Sequence, residues 1–125
     1  MAHNTLILPN AKGFTRPRVV GDEYVVDAVI EVYSYTASGE SITASELGLS
    51  SITAVMVVGT LNPATVAIAG VDFTDATNMG NYASSSSFLL RLFAEDGTTK
   101  LLTELAGAST DADDAPVRVR VYGLI

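Results

Sequence analysis

Between Val25 and Tyr35 the side chains alternate: Val26, Ala28, Ile30, Val32 and Ser34 share one parity, while Asp27, Val29, Glu31, Tyr33 and Tyr35 share the other. Successive side chains of a strand point to opposite faces, so this pattern predicts a β-strand with one buried and one half-polar side. On that parity Tyr33 and Tyr35 both face outward. Small residues and Gly39, which tolerates positive φ, then stop the strand. Thr43-Ala44-Ser45-Glu46 matches a capping box, in which the Thr43 hydroxyl accepts from the Glu46 amide and the Glu46 carboxylate reaches back. Gly48 closes that turn. Ile52 to Val58 is apolar on both parities, the pattern of a strand covered on both faces.

Further along, Ala64 to Val71 reads as a third strand and Asp72 to Ser87 as a long polar loop. Phe88 to Glu95 admits a two-turn helix or a strand, and Asp96-Gly97 followed by Thr98 to Leu102 favours a hairpin. Gly107 to Pro116 is an acidic loop. Val117 to Leu124 closes the chain as a strand with Val117, Val119 and Val121 inward and Arg118, Arg120 and Tyr122 outward. Antiparallel pairing of the first and last long strands would set Asp27 and Glu31 against Arg118 and Arg120. Short strands separated by turn signals, with at most one helical turn, predict an all-β fold: a small antiparallel β-sandwich or jelly roll.

A chain of 125 residues is expected to form one such domain. Residues 1–22 hold Pro9, Pro17, Gly13 and Gly21 and are expected to form an extended N-terminal arm ahead of a sandwich at 23–125. Thr5 to Leu8 is a short strand within that arm; disorder, or an edge strand of the subunit's own sheet, are the competing readings. Charge sharpens the division. Residues 1–20 carry Lys12, Arg16 and Arg18 and no acid, whereas the remainder carries four bases against fourteen acids, for a total of −7. So acidic a chain is a poor ligand for phosphate backbones, so no nucleic-acid partner is expected. Without cysteine it has no disulfides or thiolate metal sites. Leu6 to Leu8 is too short for a signal-peptide core, and no apolar run approaches the ~18 residues of a membrane helix, so the product is expected in the cytoplasm or in a particle assembled there.

Candidate chemistry is sparse. His3 is the sole histidine, which leaves triads and histidine zinc sites little to work with. Asp111, Asp113 and Asp114 have calcium-like spacing, but the glycine and glutamate of an EF-hand loop are replaced by Pro116 and Tyr122, and a solvated turn fits better. Glu95-Asp96 and Asp72/Asp75 read as turn acids, since carbohydrate-cleaving sites sit among aromatic platforms and the chain has no tryptophan. No phosphate loop occurs. The expectation is a non-enzyme with no catalytic residue, cofactor or metal. Lys12, Phe14, Arg16 and Arg18 in the arm, with Tyr33 and Tyr35, are the candidate interface, although the tyrosines could equally be covered within the monomer.

The segment Tyr35 to Ser50, YTASGESITASELGLS, followed by an apolar strand, resembles a class of small proteins of tailed bacteriophages. The likeness spans roughly Asp27 to Val58 and the closing Thr103 to Ile125, an acidic small-residue loop before a last strand. The resemblance implies a virion structural protein, in particular a capsid decoration (cement) protein: a homo-oligomer, first of all a trimer, made in the host cytoplasm and bound to the major capsid protein on the capsid exterior. A tail, neck or head-fibre component is the nearest alternative, and a carbohydrate-binding β-sandwich module is the alternative of another class.

Overall fold

The computed structural model describes residues 3–9, 12–62, 66–73, 85–95, 101–107 and 116–125. Its centre is the alternating strand of the sequence, β3 (Glu23–Val32), which pairs antiparallel with the closing strand, β9 (Val117–Leu124). Their inward rows, Val26, Ala28, Ile30 and Val32 on β3 and Val117, Val119 and Val121 on β9, are all at most 3% exposed. Full burial of each such side chain stabilises by about 1.5–3 kcal/mol before the entropy of ordering it is subtracted.

This pair forms the middle of a five-stranded sheet with β1 (His3–Ile7) and β2 (Arg18–Val20) on the far side of β3 and β5 (Ser51–Thr60) on the far side of β9. A second, four-stranded sheet packs against it: β4 (Glu40–Thr43), β7 (Ser87–Glu95) and β6 (Ile68–Phe73), with β8 (Leu102–Glu104) also on β7. Every pairing is antiparallel. The second sheet contributes Ile42, Phe88, Leu90 and Leu92 to the shared core, all 0% exposed, so the fold is the expected all-β sandwich. The hairpin reading of Phe88 to Glu95 holds through β7 and β8; its Asp96-Gly97 turn lies outside the described residues.

Five local expectations change. The arm at 1–22 supplies two strands, β1 and β2, to the body's own sheet. One edge of β3 is taken by β9, and the N–H and C=O groups of the other need partners, which the arm provides. The short strand expected at Thr5 to Leu8 is thus β1, His3–Ile7, an edge strand of the subunit's own sheet. Next, β3 ends at Val32, three residues early. Ser38 at φ 74° and Gly39 at φ 126° turn the chain over, and Tyr35 enters the core at 1% exposed instead of facing outward.

The capping box does not form. Thr43 belongs to β4, opposite Ser87, so Ala44 occupies the N-cap of the 3₁₀ turn Ser45–Leu47 without a side-chain cap bond. Gly48 closes that turn as expected, in the left-handed region at φ 77°. Finally, β5 is an edge strand with two bulges, not a strand covered on both faces: Met56 is 52% and Val58 49% exposed. Uniform apolarity reports composition, and placement at an edge is set by pairing partners elsewhere. At its first turn β5 lies so close to β9 that a Cβ on Gly123 would strike the Ser51 carbonyl oxygen. The third strand, β6, begins at Ile68, later than Ala64.

Candidate functional site

The outer face of the five-stranded sheet has no second layer among the described residues. Parity on β3 turns Asp27, Val29 and Glu31 to this side, and antiparallel register sets Asp27 directly opposite Arg120. The predicted charge match forms there. Arg120 donates from Nε at 2.9 Å and from Nη2 at 3.3 Å to the two Asp27 oxygens, and Arg18 of β2 adds a third bond at 3.2 Å. Asp27 in turn holds the Arg120 guanidinium more firmly in its charged form. The second half of the match does not form, because Arg118 stands opposite Val29 and Glu31 opposite Asn4.

Arg18 and Arg120, with Val19, Val20, Val25 and Tyr122, line a shallow groove of about 320 Å³. Its rim is apolar: Val19 is 65% and Val20 50% exposed, and Leu6 (63%) and Met56 (52%) stand farther along the sheet. Of the six interface candidates, the fold brings Arg18 into this groove. Lys12, Phe14 and Arg16 lie exposed in the segment between β1 and β2, where the Arg16 guanidinium stacks 5.2 Å from the Phe14 ring centroid. Tyr33 is at the surface and separate from the groove lining.

Tyr35 has a different task. Its hydroxyl donates to Glu104 Oε1 at 2.6 Å and accepts from the Leu92 amide at 3.3 Å, while Glu104 also accepts from the Ser38 amide and from Arg91. Burial, reinforced by the neighbouring carboxylate, pushes the phenol up to about 12. Arg91 and then the Tyr35 hydroxyl hold the Glu104 carboxyl below its ordinary range. This network joins the loop after β3 to β7 and β8 of the other sheet.

A second such network surrounds the one residue that sequence reasoning discounted. His3 is 4% exposed, with Nδ1 at 2.8 Å from Glu40 Oε1 and Nε2 at 2.9 Å from Glu46 Oε1. Thr5 and Thr43 donate to Glu46, and Thr36 to Glu40. The carboxylates occupy opposite edges of the ring and do not converge on one point, and among the described residues no cluster of histidine and acidic side chains is placed to hold a metal ion. Among the described residues no serine is bonded to the ring. The only signal in the sequence was that the single histidine lies at alternating spacing with Thr5 and Ile7. Asp111, Asp113, Asp114, Asp75 and Asp96 lie outside the described residues. Of the other paired acids, Asp72 stands 3.7 Å from Arg91, and Glu95 ends β7.

Compared with models of known protein families, with characterised proteins and with solved structures, the chain matches none.

Proposed function

We propose that this chain is a non-enzymatic virion structural protein of a tailed bacteriophage, a capsid decoration protein that acts as a homotrimer on the exterior of the assembled head. The observation that carries this reading is the uncovered outer face of the five-stranded sheet. Exposed Leu6, Val20 and Met56 interleave there with Arg18 and Arg120, the mixture of apolar area and arginine that protein interfaces favour. The resemblance of Tyr35 to Ser50 to small proteins of tailed bacteriophages supports the reading. The mechanism is mass action: a protein that binds the closed shell and not its dissociated subunits stabilises the shell in proportion to the logarithm of its concentration.

The carbohydrate-binding alternative needs exposed tyrosine platforms, and of its two candidates Tyr35 is in the core and Tyr33 is exposed. The test is co-sedimentation with shells assembled from the major capsid protein of the encoding genome, alongside light scattering of the free protein. Saturable binding, raised shell rupture temperature and a trimer mass are the expected results. A monomer that ignores shells but binds isolated tails would move the assignment to the tail, and glycan-array binding without shell binding would overturn it.

A further inference from the structure

We propose that His3, Glu40 and Glu46 form a proton-operated latch that holds β1 on the sandwich and lets it go as pH rises. The argument starts from counting protons. Both ring nitrogens of His3 stand within hydrogen-bond distance of a carboxylate oxygen, 2.8 Å to Glu40 and 2.9 Å to Glu46. A neutral imidazole has one N–H and one bare lone pair. Two ionised carboxylates around a neutral ring would therefore set one lone pair against a carboxylate oxygen. The observed geometry closes only when the three groups hold one proton more, either on the ring or on a carboxyl.

The surroundings do not relieve this. The side chains of His3 and Glu40 are 4% and 7% exposed and that of Glu46 17%, so the cluster is largely shielded from solvent. The other groups facing the cluster are the hydroxyls of Thr5 on β1, Thr36 after β3 and Thr43 on β4, and each already donates to a carboxylate. Val32, opposite His3 on β3, adds nothing titratable. Among the described residues no lysine or arginine is bonded to Glu40 or Glu46.

The latch matters because β1 has little else besides its ladder to β3. Leu6 is 63% exposed and Ile7 only partly buried, while Glu40 and Glu46 belong to the facing layer and its connecting turn. Losing the shared proton leaves buried like charges beside the ring, and release of β1 is the relief nearest at hand. The sign follows from linkage. The closed form binds one more proton than the open form, so the closing equilibrium weakens as pH rises, by about ten-fold per pH unit over the interval in which that proton leaves.

Amide hydrogen exchange of Thr5 to Ile7, divided by the intrinsic rate at each pH, reads the opening equilibrium directly. The wild type is expected to open more readily as pH rises, by up to that ten-fold per unit, and His3→Gln to show no such rise. Equal slopes in the two proteins, or no slope in the wild type, overturn the latch. Should His3→Gln fail to fold, nitrogen-15 shifts of the His3 ring and carbon-13 shifts of the two carboxyls in the wild type decide. Two ring N–H groups, or one protonated carboxyl, while β1 is protected supports the proposal. A neutral ring between two ionised carboxylates with β1 still protected refutes it.

Discussion

Two polar networks tie the layers of this sandwich together, and they are built on opposite principles. Around Tyr35 every acceptor meets a permanent donor: Glu104 receives a phenol, a backbone amide and the Arg91 guanidinium. Around His3, two carboxylates compete for one ring whose donors depend on a proton. Buried polar groups cost little when fully satisfied and a good deal when one is orphaned. The first network is therefore a fixed tie across the neutral range, and the second is a conditional one.

The largest effect that would test this contrast is alkaline unfolding. The Tyr35 phenol is raised in the folded state, so its contribution is complete below pH 10 and is lost as pH rises toward about 12. A shift of that size on a buried side chain corresponds to roughly 2–3 kcal/mol. Urea melts at increasing pH should show that loss in the wild type and a flatter limb in Tyr35→Phe. At neutral pH the same substitution, which removes a hydrogen bond to a charged group, is expected to cost about 2 kcal/mol. A change below ~0.5 kcal/mol would mean that the Tyr35 network does not hold the layers. Glu104 acts in the opposite direction. Its carboxyl is depressed, so its contribution is present at neutral pH and is lost as pH falls below the ordinary carboxylate range. An acid limb that is absent in Glu104→Gln is the expected sign.

Glu40→Gln addresses the conditional tie. A neutral amide can donate to one ring nitrogen while the other donates to Glu46, so the extra proton is no longer required. The substitution is expected to cost about 1 kcal/mol at mildly acidic pH and to become neutral or stabilising at alkaline pH. A pH-independent loss in thermal melts would show that the three groups need no shared proton. The smallest effect is expected at Thr43. As an N-cap it would be worth about 0.5–2 kcal/mol, but its hydroxyl makes only exposed 3.3 Å contacts to Glu46 and Ser45, so Thr43→Ala should cost no more than ~0.5 kcal/mol in urea melts.

Alternation identified the inward rows of β3 and β9 and put Asp27 and Glu31 on the same outer face as Arg118 and Arg120, because a strand with one buried face writes its period of two directly into the chain, whereas the register chose Asp27 and Arg120 as the pair. The same rule failed at Tyr35, because β3 ends at Val32 and the chain bends at Tyr33 and Ser34 before reaching it. It also failed at Ile52 to Val58, where composition was uniform and only the order of strands in the sheet decided which side was covered. Periodicity reports what a residue's own neighbours do, and so β3, β7 and β9, the turns at Gly39 and Gly48, and the sandwich class were legible in residue order, whereas β2 and β4 were not. The two networks join positions 37, 43 and 69 apart in the chain, His3 with Glu40 and Glu46 and Tyr35 with Glu104. No local pattern encodes such partners. Only the stacking of one sheet on the other brought them within bonding distance, and gave the lone histidine its two carboxylate partners.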